Sequence, residues 1–327
     1  MPAQTRGHGG PRIIDRMPAA TSSPHHPHLT AGLLLASIGA IGFSGKAIIV
    51  KLAYPYGVDA VTLLMYRMLF ALPLFLALSW WASHRAGREK AVPLTRRDWL
   101  GVIGLGFIGY YFSSFLDFWG LQYISASLER LILYLNPTLV LVLGWVLYRR
   151  AVTPLQALAM VVSYAGVLLV FGHELGAQGP NAVLGALLVF GSAATYAIYL
   201  VYSGELVKRL GSARLVGLAS TVACVLCILQ FLLLRPLSAA LVAPEVVWLS
   251  VLNATLCTVA PVLMVMMAVE RIGAGLAAQT GMIGPMSTIV MGVLILDEAF
   301  NAWIVAGTVL VLGGVFLVTR FGAPPRK

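Results

Sequence analysis

The chain has 327 residues, of which 59% are hydrophobic and only 10% charged, against about a quarter charged in soluble domains, so an ordinary water-soluble fold is excluded. Its net charge of +10 raises the question of nucleic acid. The Lys and Arg residues, however, fall in alternate connecting segments and not on one patch, so no nucleic-acid partner is expected and the lipid bilayer is the partner that composition demands.

Residues 1–28 are rich in Pro, Gly, Ser and His and lack the apolar run of a signal peptide, which reads as a disordered cytoplasmic tail. His25, His26 and His28 are solvated in that reading, with weak metal binding as the alternative. Apolar segments then recur near 30–52, 58–82, 98–119, 125–148, 153–171, 182–204, 213–234, 246–269, 274–296 and 301–321, each long enough to cross a bilayer. The expected class is an all-α polytopic membrane protein with ten transmembrane helices, closed by a short tail at 322–327. Arg6, Arg12, Arg16, Arg85, Arg88, Lys90, Arg96, Arg97, Arg149, Arg150, Lys208, Arg209, Arg214, Arg271, Arg320, Arg326 and Lys327 then share one side, and only Arg235 lies in a loop on the other. The positive-inside pattern makes that side, with both termini, the cytoplasm, and the plasma (inner) membrane the expected location. Cys224, Cys227 and Cys257 sit within spans and read as packing residues, since no His or second Cys pair accompanies them. No metal, cofactor or disulfide is expected.

Polar residues inside the spans need a reason, because an ionisable group in hydrocarbon costs about 3 kcal/mol or more unless something relieves it. In the first span Lys46 follows Gly39 and Gly42 on a face of small residues, and either a substrate carboxylate or a coupling acid suits it. Lys51 is expected to snorkel to the interface. Arg67, in the second span, is expected to tie helices together through backbone carbonyls. Glycines 104, 106 and 109 spell G-x-G-x-x-G, but no strand precedes them, so close helix approach is the expected use. Tyr110, Ser113, Ser114 and Asp117 share one face of the third span, and Ser192, Thr195, Tyr196, Tyr199 and Ser203 do the same in the sixth. These stripes either line a common cavity or bond helix to helix.

The fourth span carries Ser127, Arg130, Tyr134 and Pro137 along one face, with Glu129 and Asn136 beside it. Glu129 and Arg130 point about 100° apart on a helix, so each needs a partner elsewhere, and Asp117 is the expected partner of Arg130. The Asp117/Arg130 pair reads as a structural tie near the outer surface, as an outer gate, or as a carboxylate-binding Arg beside a proton-accepting acid. Asn253, Thr255 and Thr258 in the eighth span, with Gln279 and Thr280 in the ninth, are neutral groups at cavity depth. Pro137 and Pro285 interrupt the backbone ladder and are expected to bend their spans.

The stretch from Ile124 has a counterpart 148 residues on: Ala126 matches Ala274, Leu128 Leu276, Pro137 Pro285, Gly144 Gly292, and Gly166-Val167 Gly314-Val315. Five spans per copy is an odd number, so the copies lie inverted in the membrane. Arg149-Arg150 of the first correspond to Asp297-Glu298 of the second, placing basic charge only in the cytoplasmic copy. Glu129 and Arg130 have no charged mate.

With Gly42-Phe43-Ser44-Gly45, Lys51, Arg67 and the span endings at Pro137 and Pro285, this pattern resembles the EamA-type drug/metabolite transporters. The resemblance implies a first repeat over 29–171 and a second over 182–321. The family's Gly-Glu-Arg ending of span four is here Tyr148-Arg149-Arg150, while Asp297-Glu298 keeps the acid in the second half. The resemblance further implies a non-enzymatic exporter of a small organic solute, an amino acid or related metabolite, working by alternating access. Drug export is the alternative within the family, and a non-transporting membrane scaffold is the alternative outside it. The expected cavity residues are Lys46, Tyr110, Ser114, Asp117, Arg130, Tyr134, Asn136, Tyr196, Tyr199, Asn253 and Gln279. Asp117, Glu129, Arg130, Pro137 and Pro285 are the expected gating or coupling residues. Neither the substrate nor the oligomeric state follows from the sequence, and a monomer is compatible with it.

Overall fold

A computed structural model describes residues 27–85, 93–149, 152–174 and 179–321. The tail at 322–327 lies outside these residues, as does the N-terminal tail except for Pro27 and His28, which open the first helix. Helix α1 spans Pro27–Ala53 and α2 Ala60–Arg85, while α3 (Arg96–Leu105) continues through a π-helical segment, Gly106–Phe112, into α4 (Ser113–Gly120). The fourth span is divided into α5 (Ala126–Leu133) and α6 (Asn136–Tyr148); α7 covers Pro154–Glu174, α8 Ala182–Leu210 and α9 Ser212–Leu234. A second π segment, Thr255–Val259, joins α10 (Pro244–Ala254) to α11 (Ala260–Gly281), and α12 (Ile283–Leu296) and α13 (Ala302–Phe321) complete the bundle. Among the described residues, eight helical runs are long and apolar enough to cross a membrane, and two shorter apolar helices make ten.

The repeat is legible in the backbone. The π segments lie at corresponding places in the third and eighth spans, since Tyr110 and Thr258 are 148 residues apart. Spans four and nine break at corresponding turns, Tyr134–Leu135 and Met282. Helices α6 and α12 both end on a non-glycine residue in the left-handed region, Arg149 (φ 50°) and Asp297 (φ 53°), whose N–H groups return to Gly144 and Gly292. Such caps satisfy carbonyls that a helix end leaves free.

Packing shows the inversion directly. Gly166 on α7 lies against the carbonyl of Gly307 on α13, where a Cβ would stand 2.7 Å from that oxygen; Gly314 lies against the carbonyl of Ala159, where it would stand 2.5 Å away. Adding 148 to one member and subtracting it from the other turns the first contact into the second, so α7 and α13 straddle a pseudo-twofold axis. Small residues let the helices meet at backbone distance where burial of apolar surface offers no drive inside lipid. Likewise α1 runs antiparallel to the eighth span, with Gly45, Gly42, Gly39 and Gly32 meeting Cys257, Pro261, Val265 and Ile272 in turn.

The chain turns back near Ile272 with no separate loop segment: Ile272 lies against Gly32, and from there the chain returns along α1 until the Gly284 carbonyl accepts a 2.8 Å hydrogen bond from Ser44, so spans eight and nine meet within the element Ala260–Gly281. One expectation is corrected. Pro137 and Pro285 do not bend continuous helices. Each falls in the first turn of a new segment, where the missing N–H is harmless.

One end of the bundle carries Ala53, Gly120, Ala126 and Leu296, and there Asp59 caps α2 and pairs with Arg235 at 3.3 Å. Burial opposes ionisation of Asp59, yet hydrogen bonds from Thr62, Arg235 and the Val61 and Thr62 N–H groups outweigh it and hold the carboxyl below its ordinary range. The other end carries Arg85, Asp98 and Arg209, the last two paired at 3.1 Å.

Replacing Gly166 with Val should destabilise the fold by about 1–3 kcal/mol through overpacking. Gly104→Ala, where a Cβ meets nothing within 4 Å, should be neutral or stabilising. Thermal unfolding in detergent checks both; equal shifts would contradict the glycine contact at the axis.

Candidate functional site

Lys46 of α1 stands between two carboxylates from the first repeat. Its Nζ donates a hydrogen bond to Asp117 Oδ2 of α4 and lies 3.1 Å from Glu129 Oε1 of α5. Glu129 is fully buried and Asp117 nearly so. Among the described residues, neither Glu129 oxygen nor Asp117 Oδ1 receives a well-aligned hydrogen bond. The cluster is therefore held by charge more than by directed bonding, and in low dielectric that makes the shared cation indispensable. Arg130 is 3.9 Å from Glu129, donates Nε to Thr288 at 3.0 Å and Nη2 to the Phe43 carbonyl at 2.8 Å, and so ties both halves together. The expected Asp117–Arg130 pair is replaced by Asp117–Lys46, because Arg130 turns toward α12 and α1.

Beside this cluster, between the halves, is a cavity of about 500 Å³, within the range of small-molecule sites. Lys46, Tyr110, Ser114, Asp117, Arg130, Tyr134, Asn136 and Tyr196 all line it. Both π segments contribute: Gly109 and Tyr110 from one and their counterparts Cys257 and Thr258 from the other. Such segments shift side-chain register within a helix and recur at functional sites. Tyr199 and Asn253 stand outside the lining. Tyr199 packs behind Tyr110 with the hydroxyls 3.2 Å apart, and the Asn253 carbonyl accepts the Thr258 hydroxyl at 2.8 Å. Glu129, Pro137 and Pro285 also lie off the wall, and the side chain of Gln279 is outside the described residues. Ser113 bonds Ser192 at 3.0 Å, so the polar stripes both line the cavity and join helices.

Sequence reasoning gave Arg67 a purely structural part and assigned none to Glu298. Arg67 lines the cavity, with Nε on the Thr258 hydroxyl at 3.0 Å and its guanidinium 5.1 Å above the Phe118 ring; no backbone carbonyl holds it among the described residues. Glu298 reaches from the second half to the start of α5, where its carboxylate accepts hydrogen bonds from Ala126 N (2.7 Å), Ser127 N (3.2 Å) and Ser127 Oγ (2.6 Å). An anion there meets free N–H groups and the positive end of the helix. Gly292 leaves room for it, since a Cβ would stand 2.8 Å from the carboxylate. The signal in the sequence was the acid at 298 opposite Arg150 in the first copy. Near this contact Lys51 donates to the carbonyls of Leu121 (3.3 Å) and Ile124 (3.0 Å), so it ties helices and does not merely snorkel. The Glu298 and Lys51 contacts lie on the Asp59 side of the cavity, which extends from the charged cluster toward the Arg85 end, past Phe75, Val265 and Ala277.

A bundle of ten spans in two inverted copies, enclosing a polar cavity between them, defines a membrane transport protein of the inverted-repeat class. A profile of the EamA-like transporter family matches residues 30–172 and 183–320, and the chain belongs to that family. It is 32% identical over 303 residues to the uncharacterized transporter YcbK of Bacillus subtilis (strain 168), covering 88% of this chain and 91% of that protein. An uncharacterized transporter of Archaeoglobus fulgidus is 22% identical over 88% of this chain and 96% of its own length. A solved crystal structure, described only as that of a protein, matches with a TM-score of 0.60 over 89% of this chain and 97% of its own, at 18% identity, and so shares the fold.

Lys46→Met should cost about 3–5 kcal/mol of stability by stranding two buried carboxylates. Adding Asp117→Asn should recover part of that loss. A double-mutant cycle on thermal unfolding measures the coupling, and strict additivity would show that the two do not act as a pair.

Proposed function

We propose that the protein exports a small organic solute, an amino acid or related metabolite, across the inner membrane by alternating access. The observation that carries this reading is the cavity between the inverted copies, which extends from the charged cluster toward the Arg85 end and has the Glu298 and Lys51 contacts on its Asp59 side. Inverted repeats supply the two related arrangements that alternating access needs, with the solute near the midplane. The distribution of Lys and Arg supports placing both termini in the cytoplasm, so the Asp59 end is the outer one and the cavity extends toward the inner one.

In this reading Lys46, Tyr110, Ser114, Asp117, Arg130, Tyr134, Asn136 and Tyr196 face the solute. Glu129 and Asp117 hold Lys46 at the roof of the cavity, and a proton or substrate charge that reaches the cluster changes the balance of that roof. Glu298 is the outer latch, because outward opening must separate α5 from α12 and strip the carboxylate from the α5 N-terminus. The breaks before Pro137 and Pro285 give spans four and nine matched places to pivot.

Two measurements test the proposal. Purified protein in liposomes should accelerate counterflow of at least one amino acid; folded protein that moves none of a panel of amino acids and cationic drugs supports a scaffold instead. With Cys224 and Cys227 replaced by Ala, Glu298→Ala should raise the rate at which an impermeant thiol reagent added outside modifies Cys257, on the order of tenfold or more, as expected for losing hydrogen bonds to a charged group. An unchanged rate would remove Glu298 from the gate.

A further inference from the structure

We propose that Arg67 is the carboxylate anchor of the transported solute, a monocarboxylate whose remaining bulk is apolar or aromatic. This rests on the transporter reading and adds the chemistry of what the cavity holds. Three cations lie at the cavity, Lys46, Arg67 and Arg130, and the structure treats them differently. Lys46 is shared by two carboxylates. Arg130 gives Nε and Nη2 to groups of the protein and has Glu129 beside it. Arg67 gives only Nε, to Thr258, and among the described residues it has no ion pair and no hydrogen-bond partner for Nη1 or Nη2. It is 8% exposed and stands on the cavity wall, so what the cavity holds is what Nη1 and Nη2 can bind.

The guanidinium is held as a receptor. Thr258 fixes one edge, and its own hydroxyl is set by the Asn253 carbonyl within the π segment. Phe118 covers one face. What remains is the end-on fork of Nη1 and Nη2, whose parallel donors match the two oxygens of a carboxylate. The charge of the site selects the same ligand. Three cations face two carboxylates, Asp117 and Glu129, which leaves one positive charge for the solute to neutralise. A carboxylate brings one negative charge, whereas a phosphate monoester brings about 1.5 to 2 and would overshoot. Phe43, Tyr110 and Tyr196, also in the lining, offer aromatic surface to the rest of the molecule. The position 148 residues on from Arg67 is Leu215, so the shared architecture of the two copies does not call for an arginine there.

The test uses the full chain in detergent, with matched pairs of aliphatic and aromatic carboxylic acids and their primary amides, beginning with 3-phenylpropanoate and 3-phenylpropanamide, plus phenethylamine. Binding is read by thermal stabilisation or calorimetry. Acids should bind wild-type protein at least about tenfold more tightly than their amides, the difference expected for a charge-assisted pair. Arg67→Gln should abolish that ratio, and Arg67→Lys should restore part of it. Equal binding of acid and amide by wild type, retention of the ratio in Arg67→Gln, preference for the amine, or binding of no acid in the series would each overturn the proposal. If Arg67→Gln does not fold, Arg67→Lys decides: an acid/amide ratio equal to that of wild type would overturn the proposal, because Lys46 or Arg130 would then account for it. Acid binding without flux in liposomes would overturn the transport reading and leave the anchor standing; flux of amines without acid binding would do the reverse.

Discussion

Everything at the centre of this bundle depends on one cation shared between two buried acids. Lys46 on α1 meets Asp117 on α4 and Glu129 on α5, and an acid at such depth without a partner would cost several kcal/mol or shed its charge. The need to bring these groups together draws three helices of the bundle to one point. That point becomes the roof of the cavity, and Arg130, extending from it to Phe43 and Thr288, carries the constraint into the second repeat.

The backbone is closely two-fold while the chemistry is one-sided. π segments, helix breaks and left-handed caps occur twice at corresponding places. The five charged residues of the site occur once: 148 residues on, Lys46, Arg67, Asp117, Glu129 and Arg130 give way to Ala194, Leu215, Val265, Ala277 and Ala278. Glu298 seats on the first turn of α5, whereas its counterpart is Arg150, of the wrong charge for a helix N-terminus, and the counterpart of that first turn, Ala274, lies inside α11. The two ends therefore carry different contacts.

Much of the fold was legible in the order of residues. Span length and hydropathy are local properties, as is the preference of loop Lys and Arg for one side, so ten spans and their inversion follow from reading along the chain. The chain passes from span eight to span nine within the helical element Ala260–Gly281, and where it turns is set by the packing of Ile272 on Gly32. Where local signals were ambiguous the expectation failed in an instructive way. Pro137 and Pro285 looked like kinks, but a proline in a first turn removes an N–H that has no partner within the helix anyway.

By itself, then, the sequence determined a ten-span inverted-repeat membrane protein with Lys46, Arg67, Asp117, Glu129 and Arg130 deep in its spans, because the cost of burying charge and the length needed to cross lipid are set residue by residue. Tertiary structure decided which groups meet. Lys46 and Asp117 are 71 residues apart, Arg67 and Thr258 191, and Ala126 and Glu298 172. Whether Arg130 or Arg67 keeps a free fork, and whether Glu298 faces solvent or seats on the start of α5, depends on how helices pack through their glycines and on the register shifts introduced by the π segments. Those distances arise only when the two copies are brought face to face.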